Sequence, residues 1–121
     1  MVSAEIQNDM AQIGLDYSAA VARFMDSEEM FLKYFKRFFA GADDVVKQLS
    51  DAVMQEDHSA IERHAHSLKG LAGNMGINGI FNPAKKMVDD MRAGFFSEYK
   101  TDYELLLFAY KKAVDISHRI M

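Results

Sequence analysis

Hydrophobic positions along the chain recur every three to four residues, with few β-branched runs and a single proline. That period is the signature of amphipathic helices, and it divides the chain into six of them. The first covers about Ser3 to Ile13, with Ile6, Met10 and Ile13 on one side and Gly14 as its stop. A short second one starts at Asp16, a side chain suited to an N-cap, and carries Val21, Phe24 and Met25. Ser27 caps the third, and Glu28 and Glu29 fall in its first turn, where acidic groups suit the helix dipole. Phe31, Tyr34, Phe35 and Phe38 follow at helical spacing, and after Gly41 the pattern resumes through Val45, Val46, Leu49 and Val53. Whether Gly41 breaks this helix or sits inside it is open at the level of sequence. Asp57 caps a fourth helix over about residues 58–76. A fifth lies between Ile80 and Ala93 and is closed by Gly94. Proline is comfortable only in a first helical turn, so Pro83 places the regular part of that helix from Asn82 onward. The sixth runs from about Glu98 to Ile120, with a stripe of Tyr103, Leu106, Leu107, Tyr110, Val114 and Ile120. Its cap candidates are Ser97 and a capping box of Thr101 with Glu104. Long elements with short connections predict an all-α fold, an antiparallel helical bundle.

Composition narrows the function classes. The 121 residues fit one domain spanning 1–121, and half are hydrophobic, including nine Phe and nine Met, which is ample for a core. The net charge of −4 argues against a nucleic-acid partner. With no cysteine, disulfides, Cys-based zinc sites and thiol catalysis are excluded, and a reducing, cytoplasmic setting is compatible. The opening MVSAEIQNDM has neither a basic nor an apolar leader region, and no stretch approaches the ~18 apolar residues of a membrane span. The initial Met and the length favour a free-standing protein over a piece of a larger sensor. No repeat or low-complexity tract is present.

Chemistry concentrates in the fourth helix, at HAHSLKGLAGNMG, residues 64–76. At about 100° per residue, Ile61, Ala65, Leu68, Ala72 and Met75 share one side and are read as core. With His66 set at zero, Glu62, Lys69, Gly70 and Gly73 lie within about 60°, Ser59 and Arg63 are close, and Asn74 is at the margin. His64 points about 160° away, toward the core edge, where a half-buried histidine with a local hydrogen bond is expected. His66 is thus the solvent-facing histidine, with a cation one turn on. A neutral imidazole is nucleophilic near neutral pH and can accept and release a phosphoryl group. Lys69 is placed to offset phosphoryl charge. A plain solvated face would carry Ala, Glu or Lys rather than Gly70 and Gly73, since glycine costs a helix interior about 1 kcal/mol. Those glycines leave open surface for a partner to approach the ring.

The string AHSLKGLAGNMG, residues 65–76, resembles the core motif of the histidine-containing phosphotransfer (HPt) domains of two-component phosphorelays. His66, Ser67, Leu68, Lys69, Gly70 and Gly76 match in place. More weakly, GLDYSAAVARFMDSEEMFLKYFKRFF resembles the family's lead-in, and Ile80, Ala84 and Met87 fall at its apolar helix positions, so that the likeness covers about residues 14–118. The resemblance implies a mostly antiparallel four-helix bundle with one or two short additional N-terminal helices. It implies that His66 is the phospho-accepting residue, that Lys69 stabilises phosphoryl charge, and that Gly70 gives access to the ring. Ser59, Glu62, Arg63, Gly73 and Asn74 would form the docking surface. The partners implied are response-regulator receiver domains and a hybrid sensor histidine kinase, with no cofactor of the chain's own and Mg²⁺ supplied by the receiver. The domain would be a phosphocarrier, neither a kinase nor a nucleotide binder, in keeping with the lack of a Walker-type or kinase glycine-rich loop. Two positions depart from the family. Pro83 falls inside a continuous family helix, and Val88 stands where the family often has Glu. Lys36 and Gln48 are candidates for a polar side chain reaching the ring from a neighbouring helix.

Other classes find less support. Metal-binding bundles use Glu-x-x-His or HEXXH patterns, and neither occurs in this sequence. Glu62 and His66 form an i, i+4 pair, half a metal site at most and a weak acid–base pair without a cleft. A purely structural interaction module would use the Met and Phe stripes, which a bundle core readily consumes.

Overall fold

The computed structural model describes residues 2–120, and every regular element in that span is helical. The helices are α1 (Ala4–Gln12), α2 (Tyr17–Arg23), α3 (Glu28–Met54), α4 (His58–Met75), α5 (Asn78–Ala93) and α6 (Tyr99–Arg119). The four long ones form the bundle. Each of α4, α5 and α6 packs on its predecessor across a short connection, which makes neighbours antiparallel, and α6 returns to touch α3. The short α1 rests on α6, and α2 rests on α3.

Local chemistry sets most boundaries. Ser3, Asp16, Ser27 and Asp57 each accept a hydrogen bond from the backbone N–H three residues on, at 3.1–3.2 Å, satisfying an otherwise orphaned donor of the first turn. α4 and α5 end on Gly76 and Gly94, both left-handed with φ of 72°. Gly41 lies inside α3, which runs unbroken for 27 residues, about 40 Å. A Cβ there would touch the Leu71 methyls at ordinary van der Waals distance, so the position tolerates glycine without needing it.

Two boundaries differ from the sequence reading. α5 starts at Asn78, four residues before Asn82, and Pro83 sits in its second turn. Ile77, the N-cap, contributes no side-chain bond. The donors are met instead from the end of α1: Gly79 N–H reaches the Ile13 carbonyl at 2.8 Å, and Asn78 N–H reaches that of Gly14 at 3.4 Å. A Cβ on Gly79 would lie 2.6 Å from the Ile13 oxygen, so glycine is required for this approach. The cap is tertiary, which is why no local signal announces it. α6 begins at Tyr99 with Glu98 in the N-cap position and no side-chain cap bond, so neither Ser97 nor Thr101 caps it.

One core joins all six helices. Phe31, Phe35 and Leu49 from α3, Ile61 and Leu68 from α4, Ile80 and Met87 from α5, and Leu106 from α6 are fully enclosed, together with Met10, Ile13 and Leu15. Val88 is also fully buried and packs as core. On α6 the buried stripe includes Ala109, Ala113 and Ile116, whereas Leu107, Val114 and Ile120 are half-buried. Polar ties brace the bundle. Tyr110 donates to Asp43 at 3.0 Å, and Tyr103 and Ser50 hydroxyls meet at 2.6 Å, linking α6 to α3. Burial, seconded by the Asp43 carboxylate, pushes the Tyr110 phenol well above its ordinary pKa. Lys86 donates to Glu98, Asp90 and the buried Asp102, linking α5 to α6.

Candidate functional site

Ala60, Ile61, Ala65, Leu68, Ala72 and Met75 bury the inner face of α4 between α3 and α5. That fixes the rotation of the helix and turns His66 outward. His66, Ser67, Gly70, Asn74, Arg63 and Ser59 are exposed, while Glu62, Lys69 and Gly73 are half-buried. The imidazole therefore lies mid-helix on an open face, where another macromolecule can reach it. Ser59, Glu62, Arg63, His66 and Ser67 line a shallow depression, which Arg92 from the last turn of α5 completes. The Arg92 Nε donates to Glu62 at 3.0 Å, and the Ser67 hydroxyl donates to the Arg63 carbonyl at 3.3 Å.

Cations dominate the surroundings. Arg63 and Lys69 stand one turn before and one turn after His66, and neither is in an ion pair among the described residues. Across the groove, the Asp89 carboxyl is held below its ordinary pKa by the Lys85 hydrogen bond, with Lys69 and Arg92 adding smaller pulls. Lys69 thus projects toward the α5 side of the face. Arg92 is the site-lining residue that the sequence reading missed. It is the neighbouring-helix polar group that lines the depression, and Lys36 and Gln48 of α3 are not among the lining residues. The available signal was weak: a basic residue in the last turn of the helix packed beside α4.

The two histidines separate as the wheel requires. His64 is half-buried, and desolvation, aided by the Arg63 charge, lowers its pKa below the ordinary value, with Asp57 opposing. The local hydrogen bond expected for His64 is not formed among the described residues. The glycines separate too. A Cβ at Gly70 would meet nothing within 4 Å, whereas one at Gly73 would press on the Phe81 ring at 3.2 Å. Gly70 leaves open space, and Gly73 makes room for Phe81. No group of three or more His, Asp or Glu side chains able to hold a metal occurs among the described residues.

Fold and site together define an α-helical bundle that offers an imidazole on an open helix face rather than inside a cleft. The family model of the Hpt domain matches residues 33–106, and the chain belongs to that family. Hpt domains are phosphocarrier modules that pass phosphoryl groups in two-component phosphorelays, working with receiver domains and kinases. The matched span is shorter than the 14–118 expected from the motif and its flanks, and it leaves out α1, α2, the first turn of α3 and most of α6. No curated protein and no solved structure matches the chain. No helix among the described residues is long and apolar enough to cross a membrane.

Proposed function

We propose that His66 is the phosphoryl-accepting residue and that the chain carries phosphate between the aspartates of receiver domains, one belonging to a hybrid sensor kinase and one to a response regulator. The observation that carries this reading is the isolation of an exposed imidazole among cations at mid-helix, within the segment matched to the family. The unprotonated ring nitrogen attacks phosphorus. The P–O bond to the partner's aspartate breaks, a P–N bond forms, and the carboxylate departs with the bonding electrons. The other ring nitrogen keeps its proton or gives it to water. Return transfer reverses these steps. Lys69, Arg63 and Arg92 offset the charge that builds on the phosphoryl oxygens, and Gly70 lets the partner's backbone come close. Mg²⁺ and the acidic groups that hold it belong to the receiver.

The test is transfer of acid-labile label from a phosphorylated receiver domain. Wild type and His64→Gln take up label, and His66→Gln does not. Labelling of His66→Gln, or loss of labelling in folded His64→Gln, refutes the assignment. Lys69→Ala folds normally and transfers more slowly or holds phosphate less well, and full activity in that variant removes the lysine from the mechanism.

A further inference from the structure

An open cavity of about 380 Å³ lies at the far end of the His66 face. Gly73 of α4, the C-cap Gly76 and Phe81 of α5 form one wall, and Ala19 and Arg23 of α2 form the other. The second wall belongs to the segment outside the family match. It is nonetheless firmly placed, because the α1–α2 junction is bonded to the start of α5 through Ile13 and Gly79. The Arg23 guanidinium occupies the space that a Cβ on Gly76 would need. Unlike Arg92, Lys85, Lys86, Lys100 and Arg119, Arg23 has no ion-pair partner among the described residues. Asp16, also at the wall, is engaged in capping α2.

Distance decides whether a docked partner reaches this cavity. Gly73 is seven residues past His66 on the same face, about 10 Å along the helix. Even a small, transient interface covers roughly 600 Å² per partner, a disc of about 14 Å radius. A receiver centred on His66 therefore covers the cavity mouth. Charge indicates what it brings. Arg63, Lys69, Arg92 and Arg23 outnumber Glu62 and Asp16 along this face, which leaves it net cationic on a chain of net charge −4.

We infer that Arg23 and its cavity form a second docking point that selects the receiver domain. An acidic side chain of the receiver enters, its carboxylate on the Arg23 guanidinium and its methylenes against Phe81 and Ala19. This rests on the reading of His66 as the transfer site. The probe is an isolated receiver domain loaded with radiolabelled acetyl phosphate and chosen from a panel as the fastest donor to the wild-type chain. Phosphoramidate, a donor too small to need docking, reports the ring alone. Arg23→Glu is expected to lower kcat/KM with the receiver roughly tenfold at low salt, chiefly through KM, with the deficit shrinking as salt rises. Arg23→Lys retains most of the rate, and phosphoramidate labelling falls in neither variant. A receiver rate for Arg23→Glu within twofold of wild type overturns the inference, as does an equal loss with both donors. If no receiver labels the wild-type chain, or if His66→Gln is labelled, the transfer reading itself has failed, which is a separate result.

Discussion

Gly70→Ala and Gly73→Ala are the same substitution, three residues apart on one helix, and the structure assigns them different outcomes. In each, removing a glycine from a helix interior favours folding by about 1 kcal/mol through propensity. At Gly70 the new methyl meets nothing within 4 Å, so the full gain is realised. At Gly73 it lies 3.2 Å from two carbons of the Phe81 ring, which must shift by a few tenths of an ångström and loosen its packing. Forcing one methyl into a packed contact costs about 1 kcal/mol or more, so the gain is cancelled. For a chain of this length, 1 kcal/mol corresponds to roughly 3–6 °C in Tm. Thermal unfolding followed by circular dichroism should therefore show Gly70→Ala raised by that amount and Gly73→Ala near wild type. Equal stabilisation of both variants would refute the steric reasoning. The transfer assay adds a second axis. Gly70→Ala, the more stable protein, should transfer more slowly, because its methyl stands beside His66 on the approach path. A Gly70→Ala protein that is both more stable and equally fast leaves the glycine without its functional reason.

Three further outcomes follow from the geometry. Gly79→Ala drives a methyl into the Ile13 carbonyl, 2.6 Å away, and breaks the cap of α5; a loss of about 2 kcal/mol or more is expected in denaturant unfolding. Because burial lowers the pKa of His64 in the fold, the unfolded chain binds protons more readily. Stability held above pH 6.5 is therefore lost as pH falls through the native pKa, and Tm measured against pH should show this component in wild type and not in His64→Gln. Arg92→Ala should keep its Tm, since its pair with Glu62 is exposed, yet lose phosphotransfer rate; unchanged transfer would make Arg92 a surface residue only.

The parts of the fold legible in the sequence are those governed by local chemistry. Asp16, Ser27 and Asp57 announce helix starts because a cap is a contact between residues three apart. The orientation of α4 follows from its own periodicity, so the exposure of His66 and the separation of His64 were readable without a structure. The start of α5 was not. Its first donors are met by carbonyls more than sixty residues earlier, and Pro83, taken as a first-turn residue, pointed to the wrong place. The same limit applies at the site. Gly70 and Gly73 are indistinguishable on a helical wheel, and only Phe81 on the next helix tells them apart. Arg92 lies twenty-six residues from His66 with no periodic relation to it, so its place at the depression depends on how α5 packs on α4.

The joint between Ile13 and Gly79 sets where the protein may be cut. A fragment trimmed to residues 33–106 would keep the whole motif and lose the carbonyls that begin α5. It would also end α6 at Leu106, discarding Ala109, Ala113 and Ile116 from the core and the Tyr110 tie to Asp43. Similarity and self-sufficiency thus have different edges in this chain. Anyone grafting the phosphocarrier into another protein would have to carry the first two helices along, as a keystone travels with its arch.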